Sequence, residues 1–142
     1  MSSASAPSSF TAPFSFLAFD FGTRRVGVAT GNTLTRRAQP LRTIAAEGEA
    51  RFEAIGQLIG EWQPSALVVG VPFHPDGAPH DNTDRARRFG RQLHGRFKLA
   101  VHEVDERYTT TEAARDVAVG GSHDLDAASA AIILNQFLSE LE

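Results

Sequence analysis

With 142 residues, 42% of them apolar and ten of them Phe, the chain can bury one full core but not two, which excludes global disorder and a multidomain architecture. The absence of Cys excludes disulfide scaffolds, thiolate zinc clusters and Cys nucleophiles, so any metal must sit on oxygen or imidazole ligands, which favours a hard cation. The net charge of −3 conceals an asymmetry: residues 14–98 carry twelve basic against eight acidic groups, residues 99–142 two against nine, a distribution suited to a polyanion held beside bound cations.

Met1 to Pro13 is Ser, Ala, Pro and Thr with one Phe, and it has neither the basic start nor the apolar stretch of a secretory signal. It reads as a disordered tail over 1–13 on a cytoplasmic protein, ahead of one domain over 14–142. No apolar run approaches the ~20 residues a bilayer span needs. Phe14 to Asp20 is a dense apolar run that reads as a strand covered on both faces. After the turn at Phe21-Gly22-Thr23, Val26 to Thr30 continues as a second, antiparallel strand, and Ala38 to Ile44 as a third.

Glu49 to Trp62 places Phe52, Ile55, Ile59 and Trp62 on one helical face, and Pro64 stops the helix. Ala66 to Val71 is short, apolar and β-branched, and it ends at Pro72 before the turn-forming Pro75-Asp76-Gly77, which predicts a central strand. Asp84 to Phe97 aligns Ala86, Phe89, Leu93 and Phe97 on one stripe and leaves Arg87, Arg88 and Arg91 opposite it. Leu99 to Val104 reads as another strand. Thr109-Thr110-Thr111-Glu112 reads as a capping box opening a short helix that ends near Gly120-Gly121, and a last helix runs from about Asp126 to Leu141. Three antiparallel strands followed by alternating helices and parallel strands make a mixed α/β sheet in one domain.

Asp20 ends an apolar strand, where an uncompensated buried carboxylate costs several kcal/mol, so it needs a cation, a donor cluster or solvent. Asp105 and Glu106 follow another strand, and Asp126 opens the last helix. In an open α/β sheet the ligand crevice lies beyond the carboxyl ends of the strands, which brings Asp20, Glu106 and the Pro72 loop to one place. Converging carboxylates repel unless divalent cations bind between them, and two Mg²⁺ about 4 Å apart would activate a water and stabilise the leaving oxygen in phosphodiester hydrolysis. Simpler readings stand beside this one: Asp126 as a cap or first-turn acid, Asp105 and Glu106 as solvated loop acids.

Four segments, Phe19-Asp20-Phe21-Gly22-Thr23-Arg24-Arg25-Val26-Gly27-Val28-Ala29, Val69-Gly70-Val71-Pro72, Asp105-Glu106-Arg107-Tyr108-Thr109-Thr110 and Leu125-Asp126-Ala127-Ala128-Ser129-Ala130, occur in the order and spacing of one family. The chain resembles the YqgF family, also called RuvX-like, over Phe16 to about Leu138. The resemblance implies an RNase H-like fold with a five-stranded mixed sheet, and a bacterial cytoplasmic nuclease of 5′-end maturation of pre-16S rRNA. It puts the family's catalytic and metal-binding acids on Asp20, Glu106 and Asp126, with Mg²⁺ or Mn²⁺ as cofactor, and makes Asp105 a residue that orients its neighbours.

Arg24 and Arg25 beside Asp20, and the surface of Arg87, Arg88 and Arg91, are the candidate nucleic-acid contacts; exposed Arg on a helix is also ordinary solvation. His74, His80, His94, His102 and His123 show no metal-ligand spacing, and the Phe side chains read as core. Two departures from the family stand out. Phe73-His74-Pro75 puts His74 where an Asn is common, and the loop Gly120-Gly121-Ser122-His123-Asp124-Leu125 is short and lacks Arg and Lys. Two other functions fit the same fold: a Holliday-junction resolvase acting on branched, structured DNA, and a non-catalytic RNA-binding module of ribosome assembly.

Overall fold

In the computed structural model, which describes residues 14–108 and 124–141, the Phe-rich run forms β1, Ser15–Phe21. β2, Val26–Asn32, pairs with it antiparallel, and β3, Ala38–Ile44, pairs antiparallel with β2. Helix α1, Gly48–Trp62, leads into β4, Ala66–Val71, which lies parallel to β1 on its other side. Helix α2, Thr83–Phe97, returns the chain to β5, Val101–Asp105, parallel to β4, and a single 3₁₀ turn, Glu106–Tyr108, follows. Helix α3 is Leu125–Glu140. The sheet order is therefore β3-β2-β1-β4-β5, five strands with three antiparallel and then parallel pairing. The tail over residues 1–13, the helix expected to open at Thr109 and the Gly120 end of the loop before Asp124 lie outside the described residues.

Both faces of the central strands are covered, which explains why Phe16, Leu17, Ala18 and Phe19 are all buried with no polar residue between them. Leu17, Phe19, Val26, Val28, Leu67 and Val69 point to α1 and α2, where they meet Phe52, Ile55, Leu58, Phe89 and Leu93. Phe16, Ala18, Ala66, Val68 and Val104 point the other way, to Ile133, Leu134 and Leu138 of α3. The edge strand β3 tolerates Pro40 and carries one extra residue, Leu41, opposite Val28 and Ala29, both common devices at an exposed edge.

Helix α1 differs from its expected face. Trp62 is 40% exposed, and Leu58 and Arg51 are buried in its place beside Phe52 and Ile55. Gln63 turns left-handed directly after Trp62, so the helix ends beyond the edge of the core. Strand β5 likewise begins at Val101 instead of Leu99, because Lys98 adopts a left-handed conformation (φ 60°) and donates its N–H to the His94 carbonyl, capping α2.

Arg51 is only 5% exposed and ties two connections together. Its Nε donates to the Ala46 carbonyl (2.8 Å), its Nη2 donates to the Thr23 carbonyl (3.1 Å), and the guanidinium lies 5.6 Å from the centre of the Phe21 ring. Burial holds its pKa below the ordinary guanidinium value. Arg51→Ala leaves both carbonyls without this donor, and the expected loss is about 2–3 kcal/mol, or roughly 5–10 °C in a thermal melt followed by circular dichroism. Arg51→Lys should recover only part of it, since one ammonium on a narrower reach does not span both carbonyls.

Candidate active site

Side chains alternate along β1, so Asp20 falls on the face of Phe16 and Ala18, towards α3, at the carboxyl end of the strand. Its partners across the sheet are both glycines: Gly27 on β2 and Gly70 on β4. These absences of side chain are what bring the other two acids in. A Cβ at Gly27 would overlap the Asp126 carbonyl oxygen, so the first turn of α3 sits directly on β2. A Cβ at Gly70 would lie 3.0 Å from Glu106 Cγ, so Glu106, the first residue after β5, folds back over β4 towards Asp20.

Asp20 and Glu106 are hydrogen-bonded to one another. Two carboxylates have no donor between them, so the pair holds a shared proton, with Glu106 donating. Burial is the first cause that pushes the Asp20 carboxyl up to about 6; the bond from Glu106 pulls it down and the charge of Asp126 pushes it up. Glu106 is pushed up to about 8, first by burial, then by the charge of Asp20 and the hydrogen bond it donates, and last by Asp105.

Asp126 is in the first turn of α3, but the cap is Asp124, whose Oδ1 accepts from the backbone N–H groups of Asp126 and Ala127, both at 3.1 Å. Of the two ordinary roles the sequence leaves open, cap and first-turn acid, Asp126 has the second. The Asp126 carboxylate lies 3.2 Å from Arg25 Nε, with Thr43 Oγ1 3.4 Å away; the single proton of that hydroxyl is directed to the nearer Asp124 Oδ1. Among the described residues, no three acid or imidazole side chains stand close enough to hold a metal ion as placed. Two of the three acids adjoin, and the third is one strand away, beside Arg25 and Thr43. The donor set fits a hard divalent cation in its chemistry: all oxygen, anionic, half-buried and mutually repelling.

Asp105 accepts from the Arg107 guanidinium (Nη2 to Oδ2, 2.7 Å) and from the Arg107 backbone N–H (2.9 Å), and these bonds, the side-chain ones foremost, hold its pKa below the carboxylate range. It thus fixes Arg107, whose guanidinium lies 5.8 Å from the centre of the Phe73 ring; Arg87 lies 5.2 Å from the same centre. His74 sits in the turn after Phe73, held by backbone bonds to Ala78 and Gly77, with its ring 5.0 Å from that of His80.

The three candidate arginines of α2, Arg87, Arg88 and Arg91, separate. Arg87 and Arg91 line a groove of about 550 Å³ between α2 and β5, and Arg87 pairs with Glu103 there at 3.4 Å; Arg88 takes no part in it. Arg24 and Arg25 line a second open cavity of about 450 Å³, with Gly22, Thr23 and Asp126. Sequence reasoning missed Gly27, Gly70, Asp124 and Thr43 as parts of the site. The signal for the first two was present, since an isolated Gly between β-branched residues, as in Val26-Gly27-Val28 and Val69-Gly70-Val71, marks a close approach.

The RuvX family model, described as "RuvX: Holliday junction resolvase", matches residues 14–140. A protein of Polaromonas sp. strain JS666, named "Putative pre-16S rRNA nuclease", is 66% identical over 126 residues, covering 89% of this chain and 88% of its own length. A protein of the same name from Polynucleobacter necessarius is 53% identical over 137 residues, covering 96% of this chain and 92% of its own. In fold, the chain is similar to Thermus thermophilus RuvC, solved with a Holliday junction substrate (TM-score 0.56, 15% identity, 88% of this chain and 93% of that one). It is also similar to the Fowlpox virus resolvase solved with Holliday junction DNA (TM-score 0.57, 10% identity, 91% and 100%). Four motifs in register, the RuvC-like sheet and the match over residues 14–140 agree: the chain belongs to the RuvX family.

Proposed function

We propose that the chain is a metal-dependent nuclease that hydrolyses phosphodiester bonds at the 5′ end of 16S rRNA precursors, in the cytoplasm. The observation that carries this reading is the geometry at the carboxyl end of β1, where Glu106 folds over Gly70 towards the buried Asp20 and the first turn of α3, with Asp126, rests on Gly27 one strand away. The names of the relatives supply the substrate. Asp20, Glu106 and Asp126 are the residues that would hold Mg²⁺ or Mn²⁺. Such a cation, when bound, lowers the pKa of a water and neutralises charge on the leaving oxygen. The chain's own part is to bring three carboxylates onto one face, to give up the proton held by Glu106, and to present Arg24 and Arg25 to a phosphate.

A nucleic-acid backbone lying in the α2–β5 groove meets Arg87 and Arg91 and bypasses Arg88. Arg91→Gln is then expected to flatten the slope of log affinity against log salt by about 0.7 for single-stranded RNA, and Arg88→Gln to leave it unchanged. Fluorescence anisotropy over a KCl series reads both.

The description of the family favours a second reading, resolution of branched DNA. Incubating the protein and its Asp20→Asn variant with a 5′-extended 16S rRNA precursor and with a four-way DNA junction, in Mg²⁺, separates the two. Cleavage of the precursor supports the first reading and cleavage of the junction alone the second. No cleavage of either contradicts both and leaves the RNA-binding assembly module.

A further inference from the structure

Thr43, Gly27, Asp20 and Gly70 form one row across β3, β2, β1 and β4. The main chain of Asp126 rests on Gly27, so its carboxylate has Thr43 on one side and Asp20 on the other. It takes the Thr43 side, where Arg25 Nε lies 3.2 Å from Oδ2 and Thr43 Oγ1 3.4 Å. Arg25 is thus the cation that balances Asp126 in this arrangement. Its side chain is 63% exposed and borders the 450 Å³ cavity that Gly22, Thr23, Arg24 and Asp126 also line. Arg24, its neighbour in sequence and in that cavity, makes no ion pair among the described residues.

We propose that the Arg25–Asp126 ion pair is a latch on the acid cluster: a divalent cation takes Asp126 from Arg25, and the released guanidinium holds a phosphate of the nucleic acid in the adjoining cavity. Arg25 is then a positioning residue that couples cation binding to substrate binding, an inference that rests on the nuclease reading above. The pair opens when the Asp126 carboxylate turns from the Thr43 side to the Asp20 side, which leaves the Arg25 guanidinium without this partner. An exposed pair is weak, and displacing it costs the cation about two- to fivefold in affinity. A phosphate that captures the displaced Arg25 removes that cost, and by reciprocity the cation must tighten phosphate binding by the same factor. The turn that carries Arg25 is anchored by Arg51 to the Thr23 carbonyl, so the guanidinium moves from a fixed base.

The experiment titrates Mn²⁺ alone into the full chain by calorimetry, for wild type, Arg25→Gln and Arg24→Gln, and measures binding of a labelled single-stranded RNA by anisotropy with Ca²⁺ and with EDTA. Arg24→Gln removes the same charge from the same cavity without touching the latch. Both substitutions are at exposed positions, and thermal melts confirm the fold. Arg25→Gln is expected to bind Mn²⁺ about two- to fivefold more tightly than wild type and more tightly than Arg24→Gln, and to lose part of the gain in RNA affinity that the cation gives wild type. Mn²⁺ affinity in Arg25→Gln no higher than in Arg24→Gln, or an undiminished cation-dependent gain in RNA affinity, overturns the latch alone. Wild type that binds no Mn²⁺ overturns the nuclease reading and the latch with it.

Discussion

Asp20→Asn is expected to silence hydrolysis and, in the same molecule, to raise the melting temperature of the cation-free protein at pH 8. The two effects have one cause. The folded protein holds the Asp20 carboxyl at about 6 and Glu106 at about 8, above the ordinary 3.8 and 4.5, because both are buried against one another. Folded-state values above the unfolded ones mean that the folded chain binds protons more tightly than the unfolded chain. The pair therefore contributes no penalty at about pH 4 and below, and costs stability as pH rises from about 4 through 8, where the unfolded carboxyls ionise freely and the folded ones resist. Each pH unit across such a window is worth about 1.4 kcal/mol for one proton, so the loss by pH 8 is on the order of a few kcal/mol.

The amide in Asp20→Asn keeps the shape and still accepts from Glu106, but it removes the charge that must be desolvated. The stability difference between variant and wild type should accordingly be near zero at pH 4 and grow towards pH 8, read from thermal melts in EDTA across that range. Asp126→Asn should behave differently although it also abolishes hydrolysis. It removes a carboxylate that is paired with Arg25 at a helix N-terminus, and the expected change is a loss of about 0.5–1 kcal/mol. An Asp20→Asn variant that melts lower than wild type at pH 8 would contradict the buried-pair account.

The second large effect comes from two glycines with opposite tolerances. Gly27→Ala drives a methyl onto the Asp126 carbonyl oxygen, with the Ala127 nitrogen 2.9 Å away. Both are main-chain atoms of a helix already packed on β2 and β3 through Ala130 and Ala131 against Ala29 and Ala38, so α3 as a whole must shift. The expected cost is on the order of 3–5 kcal/mol, together with loss of hydrolysis. Gly70→Ala meets only side chains: the tip of Ile133, which rotates away, and Glu106 Cγ and Cδ at 3.0 and 3.1 Å. Its expected cost is about 1–2 kcal/mol, but Glu106 is pushed off Asp20, so activity falls and the pH dependence of stability flattens. Chemical denaturation of the two variants, with equal m-values, measures the contrast; equal destabilisation would show that the glycines do not serve the acids in the way described.

Much of this molecule is legible in the sequence, for reasons that differ by element. The buried strands β1 and β4 are visible because two covered faces demand an unbroken apolar run, and Phe16–Phe19 and Ala66–Val71 are such runs. Asp20 is visible because a carboxylate has no ordinary reason to end one of them. The face of α1 is less so: periodicity nominates Trp62, but tertiary packing prefers Leu58, and a buried Arg51 that serves two carbonyls leaves no apolar signature at all. The sequence leaves Asp126 as either cap or first-turn acid, because Asp124 and Asp126 are equally good N-terminal acids; only the main-chain geometry assigns Asp124 to the cap and Asp126 to the first turn, beside Arg25. Likewise Arg87, Arg88 and Arg91 form one cluster in sequence, whereas the groove against β5 selects Arg87 and Arg91.

On the proposed reading, Asp20, Glu106 and Asp126 act together as a cation-dependent hydrolytic centre. The most direct measurement is the initial rate of cleavage of a 5′-extended 16S rRNA precursor in Mg²⁺ by wild type, by each of Asp20→Asn, Glu106→Gln and Asp126→Asn, and by wild type in EDTA. Cleavage by wild type in Mg²⁺, with all three variants and the EDTA reaction at background while every variant stays folded, is the expected result. A variant that cleaves at the wild-type rate, or wild type that cleaves equally well in EDTA, would contradict it.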